Sequence, residues 1–321
     1  MKRSKNRIKI IGSGFIVLGI FLAAIGLIAG TKFAIIHTSD GFKAIGESDR
    51  IKEEFSLNEF KHINIDLTDA DVEVIPSNEY KLEIERMEIT EIAHTVENDV
   101  LSISDTSKSW FRFSMNLGVF IDKTTVKLYI PEDAELVDAK LSSDFGSIQI
   151  EGIAADQWNI QSTDGDVVIR DIQSNSVIVE NKFGDLTASN VNTQELKVEM
   201  SDGTADLESI DAMNTSLNNL YGDTYYKNFT SRGAILESLD GDIGIHGVLL
   251  GETIIESKFG SVNLQLENKE SELSYTIEST FGEVSVNDSE FNSKASQSVE
   301  ADNKMEISST DGDIDVIFKG N

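Results

Sequence analysis

Cysteine is absent from the 321 residues, and proline occurs only twice. The lack of cysteine excludes a disulfide framework and a thiolate zinc site, a composition that suits an extracytoplasmic protein of an organism that avoids disulfides. With so little proline, the 23 glycines do the punctuating. Cations are scarce as well: 27 Lys and Arg stand against 56 Asp and Glu, a formal net charge of −29. Five of those cations, Lys2, Arg3, Lys5, Arg7 and Lys9, lie at the N-terminus, so the rest of the chain is more acidic still. So acidic a body excludes nucleic acid as a partner, which would need a basic surface for phosphates, and keeps the body off anionic lipid. Catalytic signatures are missing too. There is no HExxH, phosphate-binding glycine loop or Ser/His/Asp arrangement, and His37, His62 and His94 lie outside the repeats described below. No cofactor and no enzyme activity is expected.

What is present begins with an uncharged apolar run from Ile10 to Gly30. A helix of about 20 residues spans the roughly 30 Å hydrocarbon core of a bilayer. The run is longer than the apolar region of a signal peptide, and Ile28-Ala29-Gly30-Thr31 is a poor cleavage site. The reading is therefore an uncleaved anchor, with residues 1–9 as a basic cytoplasmic tail and everything after Thr31 outside the cell membrane. Residues 31–54 form a juxtamembrane linker. Residues 55–133 form an irregular β region, and 134–321 a regular repeat.

The repeat is marked by Gly146, Gly165, Gly184, Gly203, Gly222, Gly241 and Gly260, each 19 residues after the last. Gly282 and Gly312 share the motif after longer gaps. A fixed period of about 20 residues marks a stacked array whose units bury their apolar faces against their neighbours. Aliphatic residues recur five before each glycine (Leu141, Ile160, Val179, Val198, Leu217, Leu236, Ile255, Ile277, Ile307). Apolar positions recur two and four after it, and seven after it from Ile153 to Val248. Within each stretch the alternation has the period of a strand. The inward parity reverses between the columns five before and two after, which a straight strand cannot do, so the chain bends at the glycine.

A solenoid and a meander of hairpins both fit this pattern. Phe-Gly at Phe145, Phe183, Phe259 and Phe281 favours the solenoid, because bulky Phe resists the positive φ of a type I′ hairpin turn. The fold class is thus all-β, a β-solenoid of some ten rungs preceded by one transmembrane helix. The residue before the glycine alternates: Phe145, Asp164, Phe183, Asp202, Tyr221, Asp240, Phe259. The true unit is 38 residues, and the alternation is expected to keep like charges about two rungs apart, close to the Debye length.

Three places invite function. Asp164/Asp166, Asp240/Asp242 and Asp311/Asp313 form Asp-Gly-Asp turns, which calcium could use. Their spacing is neither that of an EF-hand nor of calcium-binding nonapeptide repeats, and Asp is a common turn residue. The rung around Gly222 gathers Leu220, Tyr221, Tyr225, Tyr226 and Phe229, either as bulky core or as a surface on which a sugar or protein could stack. Trp110 to Leu117 reads as a strand with Trp110 and Arg112 on one face and Phe111, Phe113, Met115 and Leu117 on the other. That segment suits a cap for the stack or a docking patch.

The stretches Asp66–Ser77, Lys127–Ile150 and the alternating rungs up to Val316 resemble the bacterial β-strand-repeat family labelled "putative adhesin", including its LiaG-like membrane-anchored members. The resemblance runs from about Phe55 to Phe318. It implies a single-stranded, right-handed β-helix at the envelope of Gram-positive-type bacteria, a link to envelope-stress operons, and no catalytic residues. Together these readings describe a non-enzymatic envelope interaction module whose partner is the membrane through residues 10–30 and an envelope polymer or protein. The alternatives are a polysaccharide lyase or glycosidase, whose paired carboxylates the stacked Asp residues could supply, and a structural spacer.

Overall fold

The computed structural model describes residues 12, 14–25, 34–38, 41–45, 49–105, 115–116 and 123–320. They belong to two units. The first comprises residues 1–52, 85–91 and 107–122. Within it residues 14–25 are helical, and Ala34–Thr38 pairs antiparallel with Gly41–Ile45 on one side and Met115–Asn116 on the other. Arg50 and Glu85 form an ion pair at 2.7 Å. Among the described residues no helix is long and apolar enough to cross a membrane. The expected anchor Ile10–Gly30 is described only in part, with residues 10, 11, 13 and 26–30 outside the described set. Trp110 and Arg112 also lie outside the described residues.

The second unit, residues 53–84, 92–106 and 123–321, is a stack of parallel rungs. Val167–Phe183, Leu186–Asp202, Ala205–Tyr221, Thr224–Asp240 and Ile243–Phe259 each pair with the next, mostly residue i with i+19. Each rung has three sides, read from its burial. Between Leu186 and Asp202 the buried positions are Leu186 and Ala188, then Val191 and Thr193, then Leu196, Val198 and Met200. Two outward-facing residues separate each group, and a pair of outward residues turns a strand. One corner is made by a left-handed residue six after the glycine: Gly152, Asp171, Asn190, Ser209 and Asn228, with φ between +53° and +63°. Gly, Asn and Asp reach that conformation most easily.

The aliphatic column five before each glycine is buried in all nine copies, and so are the columns two and four after it. The column seven after holds from Ile153 to Phe229 but fails at Val248. There Gly247 takes the buried slot opposite Phe229 and Leu249 the one opposite Ser231, because the register shifts by one residue. The rung recovers the missing residue at Gly251, with φ +65°. Gly247 is required by a close backbone approach, since a Cβ there would meet the Phe229 carbonyl oxygen at 2.0 Å.

At both ends of the stack the spatial order departs from chain order. Thr124–Pro131 lies outside Ala70–Ser77, which in turn lies against Ile148–Ile150. At the far end the rung of Gly312 is inserted between those of Gly260 and Gly282. Each outermost rung carries antiparallel strands: Ile92–Glu97 on Val100–Asp105 at one end, Lys294–Gln297 and Ser289–Phe291 at the other. The parallel edges are thereby covered, as an open sheet edge invites pairing with another chain.

Candidate functional site

The most ordered surface of the stack is the corner carrying the glycines. At this corner the backbones of successive rungs approach too closely for a side chain. A Cβ on Gly222 would lie 2.2 Å from the carbonyl oxygen of Gly203, and Gly222 has φ +143°. Glycine is required there by space as well as by conformation. Ala70 fills the glycine slot of its rung: a Cβ on Gly146 would meet the Ala70 carbonyl oxygen.

Two sets of side chains hold the corner. Three residues before each glycine stand Ser143, Ser162, Asn181, Met200, Asn219, Ser238, Ser257, Ser279 and Ser309, all buried. Ser162, Asn181, Asn219, Ser238 and Ser257 donate to the carbonyl oxygen of their own rung's glycine at 3.0–3.2 Å. Burying a peptide carbonyl without a partner costs about 1–3 kcal/mol, so each latch offsets a real penalty. The residue one after the glycine reaches to the next rung. Asp71, Asp166, Asp185, Asp223, Asp242 and Asp313 each accept, through Oδ1, the backbone N–H of the equivalent residue in the adjoining rung at 2.7–3.0 Å.

The residue before the glycine faces outward. In stack order this ridge reads Asp69, Phe145, Asp164, Phe183, Asp202, Tyr221, Asp240, Phe259, Asp311, Phe281, all exposed. In chain order Phe259 and Phe281 would be neighbours. The inserted Gly312 rung separates them with Asp311, and Asp69 extends the alternation at the other end, beyond which the Thr124–Pro131 rung places Lys123. Ten successive positions thus alternate carboxylate and aromatic. The five aromatics are 49–77% exposed and recur about every 9.6 Å, twice the spacing of adjacent strands.

Charge separation alone does not account for this pattern. One residue after the glycine, Asp166 and Asp185 occupy consecutive rungs, as do Asp223 and Asp242. Like charges on adjoining rungs are tolerated where hydrogen bonds hold them, which corrects the expectation that repulsion enforces the two-rung period.

The predicted site residues therefore divide. Asp164, Asp240 and Asp311 belong to the ridge, whereas Asp166, Asp242 and Asp313 are latches between rungs. Among the described residues no group of three His, Cys, Asp or Glu is placed to hold a metal ion. Tyr221 is on the ridge and 51% exposed. Tyr225, three residues past Gly222, donates to Asp223 Oδ2 at 2.9 Å; that bond, then partial burial, raises its phenol pKa. Tyr226 and Phe229 are core, with ring centroids 4.3 Å apart. Burial pushes the Tyr226 phenol far up.

A second surface escaped the sequence reading. A groove of about 810 Å³ follows another corner. Its floor is a ladder in which Gln194 donates to Asn175 and Asn175 to Asp156, followed by Met213 and the Arg232–Asp211 ion pair at 2.6 Å.

A family model described as Toastrack DUF4097 matches residues 60–317. The chain belongs to this Toastrack family. The match includes both displaced end rungs, so the Toastrack fold covers the whole ridge from Asp69 to Asp311. Among solved structures, a protein described as a putative lipid binding protein from Parabacteroides distasonis ATCC 8503 is 13% identical, with a TM-score of 0.50 over 84% of this chain and 98% of that one. A putative adhesin from Bacteroides fragilis NCTC 9343 is 14% identical, with a TM-score of 0.45 over 83% and 96%. A putative cell adhesion protein from Clostridium sporogenes ATCC 15579 is 14% identical, with a TM-score of 0.32 over 84% and 100%. At these identities the likeness concerns the Toastrack fold alone. No curated protein matches the chain. The family is the one that the alternating Phe-Gly and Asp-Gly rungs resembled.

Proposed function

We propose that this protein is a non-enzymatic interaction module of the bacterial cell envelope, anchored by residues 10–30 with the tail 1–9 in the cytoplasm, and that the glycine-corner ridge is its contact surface. One observation carries the reading: at the C-terminal end the alternation of aromatic and carboxylate follows stack order, Phe259–Asp311–Phe281, and not chain order. Copying of a repeat along the chain would preserve chain order. An alternation that runs unbroken through the inserted Gly312 rung is a property of the folded surface, where a partner would meet it. The exposure of Phe15, Phe21 and their neighbours on the helix agrees with an apolar anchor, and the adhesin descriptions of the solved relatives agree with an interaction role. The ridge carboxylates recur evenly, with no pair set apart as a hydrolase would need.

The test compares the full-length protein with a Phe183→Ser/Tyr221→Ser/Phe259→Ser variant for binding to isolated envelope fractions of wall polymer and membrane. Loss of binding by a folded variant is expected. Equal binding would remove the ridge as the contact surface, and cleavage of wall polymer by the wild type would replace the module with an enzyme. Resistance of the protein to extraction from membranes by alkali is expected of the anchor; release would overturn it.

A further inference from the structure

The charge around the ridge selects among ligands. The ridge itself carries Asp69, Asp164, Asp202, Asp240 and Asp311, and the latch carboxylates stand two residues away along the chain. Asp71, Asp166, Asp185, Asp223, Asp242 and Asp313 each use one oxygen for the inter-rung bond. The cations at this corner are Lys123, Lys182 and Lys258, and Lys123 is already committed to the carbonyl oxygen of Phe145 at 2.7 Å. Every aromatic between Asp69 and Asp311 is flanked by a carboxylate one rung above and one below, at about 4.8 Å. A π face bracketed by carboxylates favours an ammonium or guanidinium group, which gains from both.

The backbone of this corner is closed to an added strand. Gly165, Gly184, Gly203, Gly222, Gly241 and Gly260 each donate their N–H to the ridge residue of the adjoining rung, from Phe183 to Asp311. A ligand therefore cannot bind here by β-augmentation, and must be read through side chains at the ridge's own period. A polypeptide in the extended polyproline II conformation advances about 3.1 Å per residue with three residues per turn, so every third side chain lies on one face. Three residues cover about 9.3 Å, against about 9.6 Å between successive aromatics. Basic residues at every third position stay in step with all five aromatics, whereas those at every second position drift out of step within two rungs.

Resting on the reading of the ridge as the contact surface, we propose that its ligand is an extended cationic polypeptide carrying Lys or Arg at every third residue. Each cation sits on one of Phe145, Phe183, Tyr221, Phe259 and Phe281, the first four between two carboxylates and the last beside Asp311.

The experiment titrates the detergent-solubilised full-length protein with fluorescent peptides of one composition, five arginines in a glycine–serine background. In one peptide the arginines fall at every third position, in the other at every second. The first is expected to bind about ten-fold tighter at the same ionic strength, or about 1.4 kcal/mol. The Phe183→Ser/Tyr221→Ser/Phe259→Ser variant is expected to lose that preference and keep only weak, salt-sensitive binding common to both. Equal affinity of the two peptides for the wild type would overturn the proposal, since the net charge alone would then explain binding. So would a preference that survives in the variant. A glucosamine polymer that binds in a ridge-dependent way while neither peptide does would overturn the polypeptide and leave the ridge as contact surface. Envelope binding that ignores the triple substitution would overturn both.

Discussion

Asn219 donates to the carbonyl oxygen of Gly203 at 3.0 Å, as well as to that of Gly222 in its own rung. The rung of Gly203 has Met200 at the equivalent position, and a thioether has no proton to donate. One amide thus serves two rungs. Asn219→Leu, which leaves two buried carbonyls unpartnered, is expected to cost about 2–4 kcal/mol of unfolding free energy. Asn219→Ser should cost less, because Ser162, Ser238 and Ser257 fill that role in other rungs. Adding Met200→Ser to Asn219→Ser is expected to recover part of the loss, measured by urea denaturation. Additive costs would show that the two positions are not coupled.

Gly222→Ala is expected to destabilise by about 3 kcal/mol or more, since it combines strained backbone with a close approach to a neighbouring carbonyl. Thermal unfolding checks this. A melting temperature within a degree or two of wild type would mean that adjoining rungs separate far more easily than their spacing implies.

Asp240 and Asp242 should respond oppositely although they share one Asp-Gly-Asp turn. Asp240→Ala, on the exposed ridge, is expected to leave stability within about 0.5 kcal/mol of wild type. Asp242→Ala removes the acceptor of the Ser261 N–H and should cost about 1 kcal/mol, whereas Asp242→Asn keeps an oxygen in place and should cost less. If calcium instead used these turns, added calcium would raise the melting temperature of the wild type and not of Asp242→Asn. The expected result is no such shift.

Stability should fall in alkali. Burial pushes the Tyr226 phenol up from its ordinary value of 10.0, and Tyr275, buried and bonded to Glu270 at 3.0 Å, is pushed up to about 12. A raised folded pKa means full stability below about pH 10, where both states are protonated. Above it the unfolded chain ionises while the folded chain does not, so stability is lost as pH climbs toward 12. For one such phenol the slope is about 1.4 kcal/mol per pH unit. Urea midpoints at pH 9 and 11 should show the fall, and Tyr226→Phe should reduce it. That variant also removes a buried hydroxyl with no partner, so it is expected to be no less stable at pH 7.

Much of the interior was legible because strand alternation is a strong signal and the 19-residue period repeats it. Nine buried aliphatics could be read from Leu141 to Ile307, and the glycine could be recognised as a corner from parity alone. The latch three before the glycine was not found, although Ser or Asn recurs there, because polar residues at short spacing read as turn chemistry. Burial at that position depends on the neighbouring rung that covers it, which one repeat does not display. The displaced end rungs were hidden for a related reason: nothing local in the sequence around Gly282 or Gly312 says which of them meets Gly260. Val248 departs from its column because the register slips by one residue where Phe229 pairs with Gly247, one rung away. The Gly222 cluster, read as a single feature, divides between core and surface because Tyr225 and Tyr226, adjacent in a strand, must face opposite ways.

Removing residues 185–203 deletes a single rung and brings Phe183 beside Tyr221. Removing residues 185–222 deletes two and brings Phe183 beside Asp240, as the pattern requires. Both shortened chains are expected to fold, since every inward column stays in register. Only the second is expected to keep ridge-dependent binding. A plain spacer would be indifferent to the difference.

The exchange of chain order at the two ends has a further consequence. Neither end can be extended by adding sequence to it, because each outermost rung is already closed by antiparallel strands and locked outside a rung that follows or precedes it in the chain. Rungs can be gained or lost only in the uninterrupted interior, and there only in pairs if aromatic and carboxylate are to keep their places. The molecule behaves as a graduated rule with fixed stops, whose smallest division is two rungs.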